Sequence, residues 1–136
     1  MNVSAYNKIS SLCSRKEMCC SDAKNYLRKF KELSEQDKQE IIDSLVDEKF
    51  IDEERFAKAF VNDSYKYNKW GKNKIIYTLR AKNIPESIIT SAINTIDEEI
   101  YKEIKESLAK NKRDTLEEDD PAKENKVNTF LRSKGF

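Results

Sequence analysis

Apolar residues recur along the chain at intervals of three and four, which places them on one face of an α-helix. No segment alternates apolar and polar residues convincingly enough to indicate a β-strand. The pattern therefore predicts an all-α protein. The clearest apolar groups lie at 41–46, 56–61, 75–79, 88–96 and 100–108.

The tetrapeptide Ile-Asp-Glu-Glu occurs twice, beginning at Ile51 and again 45 residues later. Asp52 and Asp97 suit the N-cap position, because their carboxylates can accept hydrogen bonds from amides that a first helical turn leaves unpaired. The glutamates that follow lie where the helix dipole favours negative charge. We also expect Ile51 to pack against Phe56 across the helix start. The repeated tetrapeptide thus marks helix starts and requires no catalytic role.

A second repeated signal marks helix ends. Leu-Arg-Ala-Lys-Asn-Ile begins at Leu79, and Leu-Arg-Ser-Lys-Gly-Phe begins at Leu131. Asn83 and Gly135 occupy the position of the left-handed residue in a Schellman turn, and the apolar residue after each can contact the leucine. A degenerate third copy begins at Leu27.

Together these signals divide the chain into three-helix units, each too small to bury a core by itself. We place the first unit at 1–50, the second at 51–95 and the third at 96–136. The third unit lacks its last helix, so we expect a truncated chain or a partner that covers the exposed apolar faces. The predicted architecture is an elongated, gently curved series of tandem three-helix repeats that resemble helix-turn-helix units.

Charge is strongly separated along a chain whose total, 26 Lys and Arg against 25 Asp and Glu, is nearly neutral. Residues 32–54 carry a net charge of −8, and residues 61–84 carry +5 with aromatic side chains between the lysines. Such a basic segment can bind single-stranded nucleic acid or a protein partner. It can equally be a solvated helix end in which Tyr65 and Trp70 pack inward. The candidate contact residues are Lys66, Lys69, Trp70, Lys72, Lys74, Arg80 and Lys82.

Catalytic and metal-binding functions find no support in the composition. The chain has no histidine, the commonest general base, and its two glycines cannot build a phosphate-binding glycine-rich loop. Cys13, Cys19 and Cys20 are odd in number and are not spaced as zinc ligands. The sequence shows no secretory leader and no apolar run long enough to span a bilayer. We therefore expect a cytoplasmic protein without cofactor, metal, membrane contact or small-molecule substrate, and not an enzyme.

Residues 51–84 resemble the core of the RecX family, the bacterial regulators of the RecA recombinase. The shared features are an acidic helix start followed by Glu-Arg-Phe-Ala and a second phenylalanine, a basic segment with glycine, and a helix end of the form Leu-x-x-Lys-Gly-apolar. Asn83 replaces the family's glycine, and asparagine also tolerates the left-handed conformation. The matching residues are Asp52, Glu53, Glu54, Arg55, Phe56, Ala57, Phe60, Gly71, Lys74, Leu79, Lys82 and Ile84.

The resemblance implies a cytoplasmic, non-enzymatic modulator that binds the RecA–single-stranded DNA filament and restrains its ATPase and strand exchange. Two other interpretations stay open. One is a helical protein that binds DNA directly through the basic middle unit, which a steep salt dependence of DNA binding would favour. The other is a general helical-repeat adaptor for a different protein, which would bind in high salt.

Overall fold

The computed structural model describes residues 2–136, which form eight α-helices and no β-strand. The predicted all-α fold is therefore confirmed. The helices are α1 (Val3–Arg15), α2 (Cys20–Leu27), α3 (Glu35–Asp47), α4 (Glu53–Lys66), α5 (Lys72–Ala81), α6 (Glu86–Ile93), α7 (Glu98–Asp114) and α8 (Lys123–Ser133).

The helices pack with their sequence neighbours around three apolar clusters. The first lies between α1, α2 and α3, the second between α4, α5 and α6, and a smaller third one between α7 and α8. Leu27, Leu79 and Val127 lie in these clusters with no exposed surface. Each cluster is small because every helix buries only one stripe of apolar residues.

The clusters are joined rather than independent. Cys19, which precedes α2, and Tyr101 of α7 both pack into the second cluster, and α7 contacts α4 directly. The molecule exposes 8602 Å². A compact protein of its mass, 15.9 kDa, would expose about 7,400 Å². The excess agrees with a series of small units in contact only with their neighbours.

Both predicted N-caps are present. The Asp52 carboxylate accepts a hydrogen bond from the Arg55 amide at 3.1 Å. The Asp97 carboxylate accepts two, from the amides of Glu99 at 3.1 Å and Ile100 at 3.3 Å. The side chains therefore satisfy first-turn amides that have no partner within their own helix.

The predicted contact between Ile51 and Phe56 is wrong. Ile51 lies in the first apolar cluster and Phe56 in the second. The cause is the end of α3, where Lys49 takes a left-handed conformation with φ 63° and the Ile51 amide donates to the Leu45 carbonyl at 3.1 Å. This turn directs Ile51 into the core of the first unit, so the chain passes to the second unit only at Asp52.

Two of the three helix-end signals form Schellman turns. Asn83 has φ 62° and Gly135 has φ 98°, and the next amide donates to the Leu79 carbonyl at 3.1 Å or to the Leu131 carbonyl at 3.0 Å. The copy that begins at Leu27 does not, because the chain there continues through short turns without a left-handed residue. That copy lacks an Asn or Gly at the required position.

Candidate interaction surface

The basic segment comprises the end of α4, the turn at 67–71 and α5. Lys69 adopts a left-handed φ of 61°, and the Trp70 amide donates to the Ser64 carbonyl at 3.0 Å, which folds the turn back on α4. The Trp70 ring then packs edge-on against Phe60, with ring centres 6.2 Å apart. The position of Trp70 is thus fixed by the turn as well as by packing.

Tyr65 is not available to stack on a nucleic acid base. Its side chain lies on the buried face of α4 with Val61 and is only 2% exposed. Its ring packs against Tyr101, and its hydroxyl accepts a hydrogen bond from the Asp97 amide at 3.4 Å. Tyr65 therefore packs inward, as one of the two interpretations of the basic segment predicts, whereas Tyr67 in the same segment is 74% exposed.

The two glycines of the chain, Gly71 and Gly135, lie in contact. A Cβ atom on Gly71 would lie 2.3 Å from the Gly135 carbonyl carbon, a distance that atoms cannot occupy without backbone movement. The Gly71 amide donates to the Lys134 carbonyl at 2.7 Å, and the Asn73 amide donates to the Gly135 carbonyl at 3.0 Å. The C-terminal end of α8 is therefore docked on the N-terminal end of α5.

This docking covers the amides that a helix N-terminus ordinarily offers to an anion. Carbonyl groups at the end of α8 accept two of them, and the Tyr101 hydroxyl accepts a third, from Lys72, at 2.9 Å. The opposed helix ends also bring complementary dipoles together. An anion that binds this region must therefore be held mainly by side chains.

Three of the predicted contact residues are held in ion pairs. Lys72 lies 2.6 Å from Glu98 of α7, Arg80 lies 2.5 Å from Glu86 of α6, and Lys82 lies 2.6 Å from Asp22 of α2. The hydrogen bond from Arg80 holds the pKa of Glu86 below its usual value. These pairs link α5 and its C-cap to three other helices, contacts that the sequence did not reveal.

The remaining four candidates are Lys66, Lys69, Trp70 and Lys74, of which Lys69 is exposed and the other three are half-buried. No carboxylate lies within 4.0 Å of the amines of Lys66, Lys69 or Lys74 in residues 2–136. The Lys74 amine lies 4.4 Å from the centre of the half-buried Trp70 ring. Tyr77 of α5 is not among the predicted contact residues but is 75% exposed, and its position on the solvent face follows from the helical period.

The junction between the first two units is built from residues of the Glu-Arg-Phe-Ala motif. Arg55 contacts Glu17 and donates to the carbonyls of Lys49 at 3.2 Å and Phe50 at 3.3 Å. The Glu53 carboxylate accepts a hydrogen bond from the Cys20 amide at 3.3 Å, at the start of α2. Burial raises the pKa of Glu53 above its usual value, although this hydrogen bond opposes the shift.

Comparison with known proteins identifies the middle unit. Residues 52–93 match the family model described as RecX, second three-helix domain. A regulatory protein RecX of Clostridium tetani is 37% identical over 101 residues, which cover 72% of this chain and 46% of that protein. Another, of Clostridium botulinum, is 39% identical over 98 residues, which cover 70% and 45%. A crystal structure of regulatory protein RecX has a TM-score of 0.86 and 26% identity, covering 98% of this chain and 67% of that one.

The chain belongs to the RecX family. It spans less than half the length of the two clostridial relatives. The region that matches the RecX family model begins at the N-cap Asp52 and ends at Ile93, the last residue of α6, so it is the unit formed by α4, α5 and α6. A crystal structure of RecX from Lactobacillus salivarius, at 24% identity and a TM-score of 0.81, shares the fold.

The three cysteines of this RecX-family chain are shielded from solvent to different degrees. Cys13 and Cys19 are buried and Cys20 is half-buried, and burial raises the pKa of the Cys19 thiol to about 11. Such thiols are largely protonated near neutral pH and are poor nucleophiles.

Within residues 2–136 no helix is long and apolar enough to cross a membrane.

Proposed function

We propose that the protein is a non-enzymatic modulator of the RecA recombinase, which binds the RecA–single-stranded DNA filament and restrains its ATPase and strand exchange. The observation that carries this proposal is the match of the unit α4–α6 to the second three-helix domain of RecX. The curated relatives named as regulatory proteins support it. We assign no catalytic residue or cofactor, and we place the protein in the cytoplasm with its partner.

Within this proposal, the filament contacts the unpaired part of the basic segment. Within residues 2–136, Lys66, Lys69 and Lys74 have no carboxylate partner, although the Lys69 amine donates to the Lys66 carbonyl at 3.1 Å. They can therefore meet phosphates or carboxylates, and Trp70 and Tyr67 add aromatic surface. Lys72, Arg80 and Lys82 are instead engaged in ion pairs with Glu98, Glu86 and Asp22. The predicted contact set is therefore reduced from seven residues to four, with Tyr67 added.

The acidic segment supports a contact of opposite sign. Glu40, Asp47 and Glu48 of the α3 region are exposed, and no Lys or Arg nitrogen lies within 4.0 Å of their carboxylates in residues 2–136. A nucleoprotein filament presents both phosphates and cationic protein side chains. Charge of both signs on one elongated protein therefore suits it, because complementary potentials fix orientation and speed association.

Filament binding tests the proposal directly. We expect Lys66→Glu/Lys69→Glu to weaken binding to immobilised RecA–single-stranded DNA filaments by about tenfold, since two contacts become repulsive. Lys58→Glu/Lys105→Glu is the matched control, because it makes the same change of net charge at exposed residues of α4 and α7. Equal loss in both variants would show that only net charge matters. Absence of binding by the parent chain would contradict the proposal.

A further inference from the structure

A second basic surface lies in the first unit, at the end of α2, and nothing above assigns it a function. Residues 24–31 read Lys-Asn-Tyr-Leu-Arg-Lys-Phe-Lys and carry four cations and no acid. We propose that this surface binds single-stranded nucleic acid, with its cations on the phosphates and its aromatic rings beside the bases. The proposal does not depend on the RecA assignment, because it concerns DNA alone. The four cations are Lys24, Arg28, Lys29 and Lys31.

The first observation is that these cations are left without carboxylate partners. Within residues 2–136, no carboxylate oxygen lies within 4.0 Å of any of their side-chain nitrogens. The basic segment of the middle unit differs, since Lys72, Arg80 and Lys82 are each paired. Clustered like charges repel one another. The dipole of α2 accounts for cations in its last turn, but Lys29 and Lys31 lie beyond the end of the helix at Leu27.

The second observation is an aromatic pair that positions lysines from two elements. The rings of Tyr26 and Phe30 are half-buried, with centres 5.9 Å apart. The Lys29 amine lies 4.0 Å from the Tyr26 ring centre and 5.6 Å from that of Phe30. The Lys8 amine, from α1, lies 5.5 Å from the same Phe30 ring. Two ammonium groups are thus held near one ring before any ligand arrives, which reduces the side-chain entropy lost on binding.

The third observation is a cleft between α2 and α3 that two of the four cations line. It has a volume of about 310 Å³ and is lined by Lys24, Arg28 and Lys38, with Glu35 the acidic residue that faces it. Glu35 is paired with Lys38 at 3.1 Å, so the charges of Lys24 and Arg28 are not neutralised there. The cleft can hold a phosphate group, which guanidinium and ammonium groups bind by charge-assisted hydrogen bonds.

Together, the unpaired cations, the aromatic pair and the cleft favour single-stranded nucleic acid over a duplex or an acidic protein segment. In a duplex the bases are stacked within the helix, and a partly exposed aromatic pair would have no base to contact, whereas unstacked bases pack on aromatic rings. An acidic protein segment would form ion pairs with the cations but would give the rings of Tyr26 and Phe30 no partner. We therefore assign the surface to single-stranded DNA or RNA, which present the same phosphates and unstacked bases.

Fluorescence anisotropy with labelled oligothymidylate of about 20 nucleotides, long enough for several phosphate contacts, tests the assignment without RecA. We expect Lys29→Glu/Lys31→Glu to weaken binding roughly 20-fold at about 0.1 M salt and to reduce the salt slope by about 1.4, since each phosphate contact contributes about 0.7 on a single strand. Lys29→Arg/Lys31→Arg should keep the parent affinity. Far-UV circular dichroism checks that each variant is folded.

Lys58→Glu/Lys105→Glu again serves as the matched control and should retain most of the affinity. The assignment is overturned if the parent chain does not bind the oligonucleotide at low salt, or if the control loses as much affinity as the site variant. Oligouridylate in parallel shows whether RNA is bound as well as DNA. Tighter binding of a labelled glutamate-rich peptide of equal charge would also overturn it, because the partner would then be an acidic protein.

Discussion

Gly71→Ala tests the docking of α8 on α5. Gly71 has φ −81°, which alanine adopts freely, so any cost arises from space and not from backbone conformation. The added methyl would lie 2.3 Å from the Gly135 carbonyl carbon and 2.4 Å from the Phe136 nitrogen. Carbon contacts are ordinarily about 3.5 Å or longer, so the end of α8 must retreat by roughly 1 Å. Both contacts are with backbone, so rotation of a side chain cannot relieve them.

The retreat disrupts two hydrogen bonds, from the Gly71 amide to Lys134 and from the Asn73 amide to Gly135. At about 1 kcal/mol for each bond, together with crowding, we expect the free energy of unfolding to fall by about 2–3 kcal/mol. Without the contact, the substitution would stabilise the protein slightly, by about 0.4–1 kcal/mol, through the unfolded chain. The sign of the change in the free energy of unfolding therefore shows whether α8 is docked on α5.

Urea unfolding followed by far-UV circular dichroism measures this change, and hydrogen exchange at the Gly71 amide in the parent chain reports whether the docked state forms. A chain that ends at Lys134 supplies the control, because it lacks the atoms that the methyl would meet. In that chain Gly71→Ala should not lower the free energy of unfolding. The double-mutant cycle that combines Gly71→Ala with the truncation should therefore show a coupling free energy of about 2 kcal/mol. A stability change within about 0.5 kcal/mol in the parent chain would refute the contact.

Other substitutions test individual features. Asp52→Ala should lower the free energy of unfolding by about 1 kcal/mol without selective loss of partner binding, and an unchanged melting temperature would contradict the N-cap. Asn83→Gly should be neutral or slightly stabilising at an exposed left-handed position, whereas Gly135→Asn should cost about 2 kcal/mol, because its Cβ would meet that of Lys74 at 2.5 Å. Equal effects in urea unfolding would contradict this difference. Burial raises the pKa of Glu53, so the folded protein favours the neutral carboxyl. The stability that the neutral Glu53 contributes is present at low pH and is lost as pH rises through the raised pKa. Glu53→Gln should therefore raise the melting temperature at about pH 7 and change it little at about pH 4, and an equal gain at both would count against the burial of its charge.

Local signals were sufficient to predict the all-α fold, the two Ile-Asp-Glu-Glu helix starts and two of the three repeated helix ends. The apolar period sets the buried face, and an N-cap or a left-handed C-terminal residue acts within one turn of its own position. Asp52, Asp97, Asn83 and Gly135 were therefore identified from short motifs. The same logic explains the failure at Leu27, where the motif lacks the Asn or Gly that ends a helix in this way.

Contacts between units could not be predicted from the same signals. The approach of Gly71 to Gly135 depends on how α8 returns to α5 across 64 residues, and no local pattern encodes that distance. Lys82 pairs with Asp22 of the first unit for the same reason. Tyr65 is different, because its spacing from Val61 already places it on the buried face of α4. The helical period alone was therefore enough to predict that Tyr65 is buried.

The single-strand-dependent ATPase rate of the cognate RecA, measured as this chain is titrated in, tests the central proposal most directly. A parallel titration with the same DNA but without RecA separates an effect on the filament from competition for DNA. The account predicts a falling ATPase rate at protein concentrations that leave most of the bare DNA unbound. An unchanged rate at concentrations that saturate the filament, or a fall that only follows the occupancy of bare DNA, would contradict it.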